Sequence, residues 1–181
     1  MSEAAGTVLL IGYGNPGRLD DGLGPALADA VEAMALPGVT VDADYQLTVE
    51  DATAVAAHDV VIFADATVLR DRPFSFRRID PKAGLRFSSH SVEPEAVLAL
   101  ARQLFNATTI GYVLAIRGHA FNEFGEYLSE PAQVDLARAL QFLTPLLKSR
   151  AFDAAAEACD DGLAANDASM NEDEPWKMEN T

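Results

Sequence analysis

The sequence holds one cysteine, Cys159, so an intrachain disulfide and a multi-cysteine zinc site are both excluded. It is short of positive charge: 13 Lys and Arg stand against 28 Asp and Glu, for a formal net charge of −15. Nucleic-acid binding needs clustered Lys and Arg to neutralise phosphates, and so acidic a chain opposes it. No stretch approaches the ~18 uninterrupted apolar residues of a membrane span. Met1 to Gly6 lack the basic start and apolar run of a secretory signal. The expectation is a cytoplasmic protein that engages neither nucleic acid nor membrane and works as a monomer. Histidine is scarce as well, at three residues: His58, His90 and His119.

What is present suits one folded domain. At 181 residues, 49% of them hydrophobic, with mean hydropathy +0.05, the chain can bury a full core. Its charge is uneven. From Ala151 onward nine acids (Asp153, Glu157, Asp160, Asp161, Asp167, Glu172, Asp173, Glu174, Glu179) accompany a single base, Lys177. A segment rich in Ala, Asp, Glu and Asn, with few large apolar residues, lacks the surface to order itself by burial. The division expected is a folded body over 1–150 and an acidic, disordered tail over 151–181.

Within the body, apolar patterning alternates between two periods. Thr7 to Ile11 is a β-branched apolar run that reads as a buried strand. After a glycine-rich loop, Leu23, Leu27, Val31 and Met34 recur at helical spacing, and Pro37-Gly38 stops the helix. Val39 to Ala43 reads as a strand. Thr48-Val-Glu-Asp51 resembles a capping box opening a short helix to about Ala57. Asp59 to Ala64 reads as a second buried strand, Phe74 to Ile79 as an exposed one, and Thr108 to Ile116 as another strand. Helices are expected over Glu93–Phe105, with Pro94 tolerated in the first turn, and over Glu130–Leu147. There are no internal repeats. Strands alternating with helices predict an α/β fold: a mostly parallel, twisted, five-stranded sheet sandwiched between helices. In such folds the site lies beyond the carboxyl ends of the strands, here the loops after Ile11 and after Ala64.

The first loop invites a misreading. Gly12-Tyr-Gly14-Asn-Pro-Gly17 matches the dinucleotide pattern G-x-G-x-x-G, with Asp42 and Asp44 ending the next strand. In that motif, however, the helix starts inside the glycines, so that its amides meet the pyrophosphate. Here Pro16 and the run Asp20-Asp21-Gly22-Leu23-Gly24-Pro25 delay the helix by roughly two turns. Two carboxylates there would also repel an anionic ligand. A dinucleotide-binding module is thus the weaker alternative, and no nucleotide is expected. The Gly-Asn-Pro-Gly stretch is similar to the opening of peptidyl-tRNA hydrolases. Those enzymes place a histidine soon after it, whereas this chain has none before His58.

Chemistry concentrates in three places. Asp20-Asp21, flanked by glycines at a strand's carboxyl end, present a carboxylate with little obstruction. Either residue can instead cap the following helix, or one caps while the other faces the cleft. Asp65 ends the apolar run Val60–Ala64 and so needs a partner, which can be a metal or an arginine such as Arg70 or Arg72. His90 lies in the polar stretch Phe87-Ser-Ser-His90-Ser-Val-Glu-Pro94, just before a helix. His58 ends a helix, where a cation meets the dipole favourably, and His119 falls in a separate loop. Asp21, Asp65 and His90 together make a two-carboxylate, one-histidine set suited to a divalent transition metal with room for water or substrate. No G-x-S-x-G nucleophile elbow is present, and no cysteine lies in the body. Metal-linked hydrolysis is the best chemistry these residues offer.

At Gly12-x-Gly14-Asn15, Asp20-Asp21-Gly22-x-Gly24, Ala64-Asp65-Ala66 and Ser89-His90 the chain resembles the [NiFe]-hydrogenase maturation endopeptidases. The likeness runs from about Val8 to Leu147. It implies removal of a C-terminal extension from a [NiFe]-hydrogenase large-subunit precursor once nickel is installed. By match of motif, Asp21, Asp65 and His90 would be the catalytic and metal-contacting residues. The metal would be nickel carried by the substrate. Relatives can place Glu at the first position, where this chain has the shorter Asp21. A non-catalytic maturation chaperone would use the same cleft and is the competing reading.

Overall fold

The computed structural model describes residues 6–68, 71–82 and 92–169. Val8–Tyr13 forms β1, followed by a 3₁₀ turn at Leu19–Gly22 and helix α1 at Leu23–Glu32. Then come β2 (Val39–Asp44), α2 (Asp51–Ala56), β3 (Val60–Thr67), β4 (Phe74–Ile79) and α3 (Pro94–Phe105). β5 (Ile110–Arg117), α4 (Glu130–Ser149) and α5 (Phe152–Ser169) complete the order. The five strands lie in the order β2-β1-β3-β5-β4. All neighbours are parallel except β4, which runs antiparallel to β5 at one edge. The sheet is therefore mostly parallel, as the alternating pattern predicts.

Strand parity divides the core into two. Val8, Leu10, Ile62, Leu114 and Ile116 face α1, α4 and α5, packing on Leu23, Leu27, Leu143, Leu147 and Phe152. Leu9, Ile11, Val61, Phe63 and Val113 face α2 and α3, meeting Leu47, Val55, Val97 and Leu98. Strands covered on both faces must be apolar at every position, which is why β1 and β3 read as continuous hydrophobic runs.

Local signals explain most element ends. Asp51 accepts from the Thr48 amide at 2.7 Å, the reciprocal half of the expected capping box. Ser129 caps α4 by accepting from the Ala132 amide at 3.3 Å, and Pro131 sits in its first turn. Asn106, in the left-handed region, ends α3.

Two expectations need amendment. Phe74 to Ile79 is an edge strand but not an exposed one throughout: Phe76 and Ile79 are buried, and Phe76 stacks on Tyr112 at 5.1 Å. The ordered body also continues past Arg150. That residue takes a left-handed conformation that turns α4 into α5. Phe152 and Ala156 then enter the core, and Asp153 meets Tyr112 (2.6 Å) and Arg78 (2.9 Å). Ala155 and Cys159 pack beside Phe152 and Ala156, so a short run of apolar residues docks the start of a segment whose overall composition is acidic. Among the described residues, no helix is long and apolar enough to cross a membrane.

Candidate active site

The site is built where α1 meets the carboxyl ends of β1 and β3. A Cβ on Gly24 would collide with the carbonyls of Tyr13 and Ala64, so only glycine lets the start of α1 touch both strands. Gly14, at φ +137°, would clash with the Asp21 carbonyl if it carried a side chain. These contacts bring the 3₁₀ turn, and Asp21 with it, over the strand ends. The helix begins only after that turn, as the sequence predicts, and the turn is what the two acids occupy.

The adjacent aspartates divide the work differently from the expectation that one of them caps α1. Neither side chain caps it; the residue before the helix is Gly22. Asp20 is wholly buried and accepts from the His119 amide (2.7 Å), the Ala120 amide (2.8 Å), the Ser129 amide (2.7 Å) and the Ser129 hydroxyl (2.7 Å). Burial alone would raise its pKa, but these donors outweigh burial and hold the carboxyl below its ordinary value. Asp21 is half-buried, and one oxygen accepts from the Asn15 amide at 3.0 Å.

Asp65 lies on β3 and faces the α2–α3 side, the same parity as Phe63. Among the described residues, no arginine pairs with it. Arg72 pairs instead with Asp71 at 3.0 Å, and Arg70 lies outside the described residues. Asp65 Oδ1 accepts from the Ala66 amide at 2.7 Å, and the Tyr13 hydroxyl lies close enough to act on its charge. The register explains Tyr13: Gly12 of β1 pairs with Ala64 of β3, so the next residues, Tyr13 and Asp65, come side by side. Burial pushes the Asp65 carboxyl up to about 6. The Ala66 and Tyr13 donors oppose that shift, while the charges of Asp21 and Glu93 add to it. Tyr13 is pushed up in turn, by burial and then by Asp65. Among the described residues, neither Asp21 nor Asp65 forms a salt bridge with Lys, Arg or His. Two neighbouring carboxylates with no described protein cation between them fit a divalent cation with oxygen ligands.

His90 lies outside the described residues, so Asp21 and Asp65 are the members of the expected set whose geometry is described. Glu93 and Glu95, at the start of α3, act electrostatically on Tyr13, which places that end of α3 beside the pair. Sequence reading assigned Tyr13 no role beyond its place in the Gly12-x-Gly14 pattern. Its parity with Leu9 and Ile11, on the same face as Asp65, was the available signal.

The other histidines are engaged elsewhere. His58 bonds the Ala54 carbonyl (2.8 Å) and the Thr40 hydroxyl (2.9 Å), and so secures the end of α2. His119 pairs through Nε2 with the buried Asp135 at 2.9 Å, which also takes Arg117 at 2.8 Å. The loop holding His119 closes over Asp20. With Leu19 and Val68, the run from His119 to Glu123 lines a cleft of about 550 Å³ beyond the end of β3.

No family model and no curated protein sequence matches the chain. Solved structures do. The [NiFe] hydrogenase maturation protease HycI from Thermococcus kodakarensis KOD1 matches with a TM-score of 0.63 at 20% identity, over 80% of this chain and 95% of that one. The hydrogenase 2 maturation peptidase from Thaumarchaeota archaeon SCGC_AB-539-E09 matches with a TM-score of 0.59 at 25% identity, over 78% and 98%. The hydrogenase maturating endopeptidase HybD from E. coli gives 0.55 at 20% identity, over 79% and 93%. The fold of this chain is that of the hydrogenase maturation proteases.

Proposed function

We propose that the chain is an endopeptidase that trims the C-terminal extension of a [NiFe]-hydrogenase large-subunit precursor after nickel insertion. The observation that carries this reading is the Asp21–Asp65 pair. Asp65 ends β3 and Asp21 lies in the turn that follows β1; neither pairs with a cation among the described residues, and the charge of Asp21 adds to the rise in the Asp65 pKa. Nickel carried by the precursor is part of the substrate in this scheme. Asp21 and Asp65, with His90, would hold it, and a divalent ion so held supplies Lewis-acid polarisation.

The chain's own residues do the rest. The Tyr13 hydroxyl beside Asp65 favours its ionised form, while the Asn15 amide steadies Asp21. With the ion held in this way, a site carboxylate would take the proton from the attacking water. The cleft lined by His119, Phe121 and Glu123 provides a wall against which the peptide flanking the scissile bond can lie.

The test is to incubate the protein with nickel-loaded and nickel-free large-subunit precursor and to follow the C-terminus by mass spectrometry. Trimming that needs nickel and that Asp21→Asn removes is the expected result. Binding without trimming would replace this reading with the maturation chaperone.

A further inference from the structure

We propose that Asp20 is a positioning residue that locks Asp21 to the loop 118–129, so that the site carboxylate and the cleft wall move as one unit. This rests on the peptidase reading for its catalytic consequence, though not for its structural one. The loop follows β5 and returns to α4, far from the glycine turn in sequence. Asp20 nonetheless binds it near both ends, at the amides of His119 and Ala120 and at the amide and hydroxyl of Ser129. Backbone bonds complete the seam. The Asp20 amide donates to the Ala120 carbonyl (3.1 Å), the Leu19 amide to the Gly125 carbonyl (3.0 Å), and the Gly125 amide to the Gly17 carbonyl (2.9 Å).

Leu19 shows that the turn is held from outside. It sits at φ +52°, a region that disfavours a non-glycine residue, and it persists because its surroundings determine it. The residue that follows Asp20 is Asp21, whose side chain, among the described residues, accepts one hydrogen bond, from the Asn15 amide. Beside the close contact at Gly14 and its own amide bond to the Arg18 carbonyl (3.3 Å), Asp21 is thus held through its neighbour's anchorage. The same loop supplies His119, Ala120 and Phe121 to the cleft, so one buried carboxylate ties the peptide wall to the metal-facing acid.

The experiment uses the full-length, isotope-labelled chain and the variant Asp20→Asn. An amide side chain there presents N–H groups to donors and leaves them unmatched. The expected result is a shift of the His119, Ala120 and Ser129 amides, together with about a tenfold loss of hydrogen-exchange protection at the Asn15 amide, which reports on the Asp21 carboxylate. An unchanged Asn15 amide would show that Asp20 serves the loop alone and would overturn the proposal. With nickel-loaded precursor, kcat should fall by about tenfold or more at a temperature where the variant is folded. Thr109→Val is the control for general destabilisation, because Thr109 bonds the Val55 and His58 carbonyls (2.9 Å each) away from the site. It should leave kcat unchanged, and an Asp20→Asn enzyme that cuts at the wild-type rate would also overturn the proposal. If Asp20→Asn does not fold, Ser129→Ala removes one donor and is read the same way. About a two- to threefold loss of Asn15 protection supports the coupling, and no loss overturns it. If the wild type trims no precursor, the peptidase reading fails, and the Asn15 amide still decides the coupling.

Discussion

Asp20 and Asp65 are both carboxylates at the top of the same sheet, and the structure treats them in opposite ways. Asp20 is wholly buried yet matched by four donors, and its pKa falls below the ordinary value. Asp65 is less enclosed, but it has a single backbone donor and a tyrosine, and faces the charges of Asp21 and Glu93; its pKa rises to about 6. Depth of burial therefore does not separate scaffold from site. Satisfaction does. A buried charge whose lone pairs are all occupied stiffens the fold, whereas one left short of partners stores an affinity for whatever cation arrives. Asp135, buried and held by Arg117 and His119, belongs with Asp20.

The sharpest way to break the contrast is at Asp21. Asp21→Asn should lower precursor trimming by on the order of a hundredfold or more while barely moving the thermal midpoint, since the side chain is only half-buried. Single-turnover cleavage and a melting curve on the same sample check both halves. Asp20→Asn should do the converse to stability, costing about 3 kcal/mol in urea unfolding through orphaned buried donors. Because the folded pKa of Asp20 is depressed, its stabilisation is present above the unfolded value of 3.8 and is lost as pH falls through the folded one.

Asp65 carries the opposite sign. With a folded pKa near 6 against 3.8 unfolded, its ionisation costs the native state stability at neutral pH. Asp65→Asn should thus stabilise the protein by about 1–2 kcal/mol near pH 7, a figure discounted for partial exposure. The gain should fade as pH approaches 4, where the wild-type carboxyl is protonated as well; paired urea titrations at the two pH values test it. The smallest effect belongs to Tyr13→Phe. It removes a donor that lowers the Asp65 pKa, so that pKa should climb above about 6 by a fraction of a unit in a carboxyl-carbon NMR titration.

Much of this arrangement was readable in advance, for reasons particular residues make plain. β4 spans Phe74–Ile79, as its pattern predicts, because a bounded alternating run has few other solutions. The late start of α1 followed from Pro16 and from the acids that would repel a phosphate. Asp65 stood out because a carboxylate closing a buried strand demands a partner. The partners themselves were hidden. The donors to Asp20 come from 99 to 109 residues away, and Tyr13 reaches Asp65 only through strand register. The docking of α5 was hidden too, since the composition of 151–181 is acidic while the fate of Phe152 depends on a gap left by β4, β5 and α4.

The sequence alone determined the class of fold, the order of strands and helices, and the place of the carboxylates at strand ends. Each of these follows from periodicity and local chemistry over a few residues. Only the tertiary structure decided that Asp20, of the two adjacent aspartates, became a buried scaffold carboxylate. That choice depends on which donors lie within hydrogen-bond reach of each carboxylate, and those donors arrive with a loop about a hundred positions distant, whose approach only the folded sheet sets.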